Sequence, residues 1–302
     1  MIARDAPELV VDERHELIEG AAIPAGIGME KLCDRAGLAH GRGAGYRDHE
    51  RRRKTTRDPA IIAFVIAPIL LAGLLSAAAV DERAIAVEAE MIEAMGGRKN
   101  WEEARFIRFT FVRGDRKPSF SWDRWTGRLR IESRNRGGVP YVVLMNVKTR
   151  QGKVFLEGRP LDGAELSEYV NLSYRMWKGE TYWFLMPFKW LDDGVELAHE
   201  AEETLNDVVY DKIRVTFDDG RSPGDSYLAY VNRETHLMDR WVFRLNGGAE
   251  GDYRWRNWHR YGGLRVATER VSDDEIIRFE DIFVGASLPD SIFTSPEPVA
   301  LP

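Results

Sequence analysis

One cysteine, Cys33, stands in the 302 residues, and none comes after it. Intramolecular disulfides, a cysteine nucleophile and cysteine-ligated zinc are therefore excluded from the rest of the chain. Histidine is also scarce. Beyond residue 79 only His199, His236 and His259 remain, in no HxH or HExxH spacing, and each reads as a strand or turn surface residue. A GxSxG elbow, a Walker-type loop and a GxGxxG fingerprint are all absent. The paired glycines Gly137-Gly138, Gly247-Gly248 and Gly262-Gly263 read as hairpin turns rather than phosphate cradles. No catalytic residue, metal ligand or cofactor site is assigned on this basis. An excess of basic charge is missing too: the net charge is −6, which argues against nucleic acid as a partner.

Long uncharged runs are absent with one exception, Ala60 to Val80. Arg51-Arg52-Arg53-Lys54 precedes it, Ile61 to Leu75 forms an apolar core, and Ser76-Ala77-Ala78-Ala79 ends it ahead of Asp81-Glu82. A basic flank, a short apolar core and small residues at −3 and −1 are the parts of a secretory signal peptide. Cleavage is expected near Val80. The run is 21 residues long, so an uncleaved signal anchor also fits, since about 20 apolar residues span a bilayer. Either reading exports the chain beyond Val80, because the basic cluster favours the cytoplasmic side. The expected division is an N-terminal extension over 1–58, disordered or mis-annotated, a signal peptide or anchor over 59–79, and one domain over 80–302. The extension carries 11 basic and 11 acidic residues and few large apolar groups, too few to offset the entropy of ordering.

Past Val80 the chain holds all nine tryptophans and every phenylalanine except Phe64. Arg83 to Met95 places Ala84, Val87 and Met91 on one helical face, and Gly96-Gly97 stops it. Short runs rich in Val, Ile, Phe, Tyr and Trp come next, from Phe106–Val112 to Val154–Leu156, punctuated by turn residues. One helical interruption is expected over Leu161–Lys178, then the aromatic stretch Thr181–Leu191, in which Pro187 forbids an ordinary central strand or helix. Seven further strands run from Val195 to Val284. The fold class is thus mainly β: an incomplete antiparallel barrel of about 11–12 strands with an N-terminal helix and one mid-chain helical, aromatic lid.

The aromatic content is the functional signal. Eight tryptophans between Trp122 and Trp258 exceed what a core of this size requires, so part of them is expected to line an apolar cavity. The residues expected to line it are Trp122, Trp183, Phe184, Met186, Phe188 and Trp190. Two carboxylates among aromatics, Asp123 and Glu280, support a lesser alternative, a general acid pair for glycan cleavage. Met95-Gly96-Gly97 with Trp101, Trp122–Arg128, Thr181–Leu191, Tyr230–Thr235 and Leu288–Phe293 together resemble the LolA/LolB-type periplasmic lipoprotein-carrier superfamily. That resemblance implies a half-barrel whose concave face holds acyl chains. The expected function is a non-enzymatic periplasmic carrier for a lipid or lipid-modified protein, touching the membrane only through its N-terminal segment. The alternatives are an envelope scaffold docking a protein partner, or the glycan hydrolase.

Overall fold

The computed structural model describes residues 81–217, 225–245 and 248–298. The N-terminal extension and the signal segment lie outside these residues. The first helix, α1 (Glu82–Ala94), starts where Asp81 accepts from the Ala84 amide at 3.0 Å. The second carboxylate oxygen of Asp81 accepts from the His199 amide at 2.7 Å, tying the helix start to a distant strand. Both amides hold its carboxyl below the usual carboxylate range. Ala84, Val87, Met91 and Ile92 bury one stripe. Gly96-Gly97 ends this helix, as expected, but a second short helix, α2 (Gly97–Glu103), starts at once and buries Trp101.

Among the described residues, thirteen strands form one antiparallel sheet, and the two-residue β6 is the one that takes the number past the expected range. The first meander is β1 (Phe106–Val112), β2 (Ser119–Asp123), β3 (Arg128–Arg134), β4 (Pro140–Asn146), β5 (Gln151–Leu156) and β6 (Arg159–Pro160). Helix α3 (Gly163–Leu185) and a 3₁₀ segment (Met186–Leu191) separate it from the second. The second is β7 (Val195–Leu205), β8 (Val208–Phe217), β9 (Ser226–Asn232), β10 (Met238–Arg244), β11 (Glu250–Tyr261), β12 (Leu264–Val271) and β13 (Ile276–Gly285). The two join through β1 and β13, paired from Phe106↔Gly285 to Val112↔Arg278 with a register shift between Arg108 and Thr110, so β6 and β7 are the free edges and the barrel is not closed. β7 runs past its expected end at His199. Cross-strand pairs such as Glu203–Lys212 at 3.4 Å let a strand with few apolar residues continue, and charge on a free edge opposes edge-to-edge association.

Strand alternation sorts the two faces. Ile107, Phe109 and Phe111 join Phe120, Trp122, Leu129 and Ile131 on the concave side, where α1, α2, α3 and the 3₁₀ segment supply the rest of one large core. On the convex side a short helix, α4 (Ser291–Thr294), packs Ile292 and Phe293 on Phe106. Arg130, about 1% exposed, donates there to the carbonyls of Ile292 and Glu297 at 3.3 and 3.0 Å.

Gly96 sits at φ +118°, and a Cβ there would lie 2.2 Å from the Gly263 carbonyl oxygen in the β11–β12 turn. Gly138, at φ +77°, has open space around the same position. Gly96→Ala should therefore cost several kcal/mol and Gly138→Ala only about 1 kcal/mol in denaturant unfolding. Equal costs would show that the helix and the turn do not meet.

Candidate apolar site

The six residues expected to line the cavity fall in one cluster on the concave side, all between 1% and 8% exposed. Trp122 comes from β2, Trp183 and Phe184 from the last turn of α3, and Met186, Phe188 and Trp190 from the 3₁₀ segment. The helix runs seven residues beyond its expected end at Lys178, because nothing before Pro187 obstructs it. Phe188 stacks on Trp101 at 4.5 Å, Phe184 meets Phe109 at 4.6 Å and Phe279 at 4.8 Å, and Trp183 meets Tyr253 edge-on at 4.9 Å. The segment acts as a plug seated in the cup. Trp101, Trp241 and Trp255 are buried in the same core, so most of the tryptophans fill the concavity rather than line an open one. Trp125 is the exception, 57% exposed at the β2–β3 turn.

A void lies beneath the plug. Tyr182, Trp183 and Met186 roof it, Tyr227, Trp241, Phe243 and Trp255 floor it, and it measures about 20 Å³. That is room for one water, between walls that offer water almost nothing polar. The indole nitrogens of Trp122 and Trp255 are buried and make no hydrogen bond.

Arginines hold the plug in place. Pro187 lacks the amide that an α-helix would aim at the Trp183 carbonyl, four residues back. Arg270, fully buried on β12, supplies that donor. Its Nε reaches the Trp183 carbonyl at 3.0 Å and its Nη2 the Phe184 carbonyl at 3.1 Å, with its guanidinium 3.3 Å from the Trp255 ring centre. Burial pushes its pKa well down, and among the described residues it has no carboxylate partner; the negative end of α3 and the ring face stand in for one. Arg124 repeats the device on α2. It donates to the Trp101 and Ala104 carbonyls, the latter at 2.8 Å, and lies over the Trp101 ring at 3.5 Å, with burial lowering its pKa to about 10.

Asp123 and Glu280 are not brought together. Burial would raise the Asp123 pKa, but Arg105 (3.2 and 3.0 Å), Thr126 and Arg128 outweigh it and hold the carboxyl well below its usual range. It is an ionised turn anchor, unsuited to donate a proton. Its strand partner is Phe106 and that of Glu280 is Thr110, so both lie on the convex face, roughly 13 Å apart along the strands and about 10 Å across them. Glycan cleavage by this pair is thereby overturned, since about 5–9.5 Å is needed. His199 serves structure: its Nε2 meets Asp211 at 2.9 Å, and Asp211 also takes the Arg83 guanidinium. Among the described residues no metal-holding group of His, Cys, Asp or Glu occurs.

No protein-family model matches the chain, and no curated protein does. Among solved structures, the chain is similar to a DUF1329 family protein from Desulfovibrio piger, at 12% identity and TM-score 0.39, over 71% of this chain and 99% of that one. It is similar to a LolA superfamily protein from Nitrosomonas europaea, at 13% identity and TM-score 0.41, over 70% and 97%. A third likeness is a putative outer membrane lipoprotein-sorting protein domain from Vibrio parahaemolyticus, at 9% identity and TM-score 0.40, over 70% and 96%. At these identities and scores no residue role passes to this chain.

Glu180, on α3, is the one buried carboxylate near the plug whose ionisation is costly. Burial raises its pKa to about 7 against the opposing pull of Arg116, 3.4 Å away, and Arg113. A folded-state pKa above the unfolded value of about 4.3 means that the folded state holds the proton more tightly. This contribution to stability is complete at low pH, declines as pH rises through 7, and is flat above. Between pH 5 and 8 the wild type should lose on the order of 1–3 kcal/mol relative to Glu180→Gln in parallel urea titrations. A difference that stays constant with pH would mean that Glu180 ionises as an exposed carboxylate does.

Proposed function

We propose that this protein is an exported, periplasmic binding protein that holds an apolar ligand, a lipid or the acyl chain of a lipid-modified partner, against the concave face of its sheet. The observation that carries the reading is the seam under the plug, a dry aromatic void between a segment with a broken helix and an open sheet. Trp122, Trp183, Phe184, Met186, Phe188 and Trp190 are the residues proposed to contact the ligand. Entry would displace the 3₁₀ segment and put the acyl chain where its side chains now sit.

The energies permit such an exchange. Burying about 14 methylenes at about 0.8 kcal/mol each yields roughly 11 kcal/mol. The five plug side chains from Trp183 to Trp190, at about 1.5–3 kcal/mol each, contribute roughly 7–15 kcal/mol in the closed state. Neither state dominates by size alone, so the Arg270 and Arg124 contacts set the balance. Met186 adds a side chain flexible enough to repack around either occupant.

The exposed large apolar side chains, Ile85, Trp125, Val209 and Ile276, sit on four different elements, and a docking scaffold gains no support from them. Arg270→Met keeps the length of the buried side chain but removes both donors to the end of α3. It should lower the melting temperature and speed uptake of cis-parinaric acid several-fold while the protein is still folded. Native mass spectrometry of gently purified wild type should show a bound lipid. Absence of both lipid and probe binding in wild type and variant alike would remove the carrier reading.

A further inference from the structure

A second concavity lies away from the plug, on the convex side of β1 and β3 and reaching the rim at Tyr141 and Met176. Between the β1–β2 and β3–β4 hairpin tips lies a groove of about 880 Å³, within the size range of ligand sites. Its cations are Arg108, Arg116, Lys117, Arg130, Arg134 and Arg136, against the acids Asp115, Glu132 and Asp281. Arg116 is already paired with Glu180 and Arg130 with Glu132, which leaves Arg108, Lys117, Arg134 and Arg136 against Asp115 and Asp281; in a chain of net charge −6 that local positive excess marks a site for an anion.

Two of the three acids are already engaged. Glu132 takes the Arg130 Nε at 2.6 Å, and Asp281 takes the Thr110 hydroxyl at 2.9 Å. On the other side of the balance, Lys117 and Arg136 are exposed and make no ion pair among the described residues. Arg108 donates through Nη1 to Ser121 at 3.3 Å, while its Nε is buried without an acceptor. A buried donor left unsatisfied is unfavourable, and an incoming carboxylate would satisfy it.

The same face already binds polypeptide. Arg130 grips the backbone carbonyls of Ile292, Pro296 and Glu297, and Pro296 and Pro298 form one wall of the groove.

We propose that this groove docks an acidic, extended peptide segment of a partner protein. Cations spread over two hairpin tips match carboxylates spaced along a strand. A single phosphate would fill a small part of the space, and a membrane surface would not enter a groove. This proposal is independent of the cup, and failure of either reading leaves the other standing.

The test uses the full chain and a short fluorescein-labelled peptide of alternating Glu and Ser, with its Gln-Ser counterpart, read by fluorescence anisotropy. The Glu peptide should bind at least about tenfold more tightly than the Gln peptide, and raising salt from about 50 to 200 mM should weaken it several-fold. Lys117→Glu with Arg136→Glu, both exposed, should weaken it at least about tenfold with an unchanged melting temperature. Equal binding of the two peptides, or indifference to the double variant, would overturn the proposal. So would binding confined to phosphatidylglycerol vesicles or inorganic phosphate.

Discussion

A helix end that the helix's own continuation cannot satisfy organises the concave side of this protein. Pro187 removes the amide that would serve the Trp183 carbonyl, and Arg270 reaches in from the opposite sheet to serve it together with the Phe184 carbonyl. Burying a guanidinium without a carboxylate is costly. It is tolerated here because each donor meets a carbonyl, the helix end is negative, and the Trp255 ring lies against its face. The consequence is geometric: the last turn of α3 and the 3₁₀ segment are fixed over the sheet, and their five large side chains point into the cup.

The proposed function asks the plug to serve as both core and gate. Its aromatics pack with ring separations of 4.5–4.9 Å, as a permanent core would. Yet the segment is held at its start by Arg270 on the Trp183 and Phe184 carbonyls, while Arg124 fixes the Trp101 ring on which Phe188 stacks. Contacts of that kind can be broken without unravelling a strand. The sheet itself is anchored elsewhere, through β1 and β13 and through the convex clamp of Arg130 on the C-terminal segment.

Much of this architecture is legible in the residues. Period-two runs mark the strands of both meanders, the i, i+3 and i+7 stripe of Ala84, Val87 and Met91 marks α1, and Pro187 marks the break in α3. The junction of β1 with β13 is not legible, because pairing between segments so far apart leaves no local pattern. Helix α2 escapes because a Gly-Gly pair signals a stop and carries no sign of a new start. Asp123 misleads because its neighbours in sequence are aromatic, whereas its neighbours in space are Arg105 and Arg128. Arg270 does carry a signal, one that the sequence reading passes over. It shares the even positions of β12 with the buried Leu264 and Val266, so alternation alone turns it inward, toward a helix end that lacks a donor.

The most direct test is hydrogen exchange across residues 177–191, measured with and without a long-chain fatty acid. If the cup opens for an apolar ligand, the ligand must change protection there while leaving the β1–β13 junction as it was. Faster exchange over Met186–Leu191 on fatty-acid addition, with unchanged exchange over Phe106–Val112, is the predicted result. Identical protection in both segments under saturating fatty acid would show that the plug is permanent core and that the concave face receives nothing.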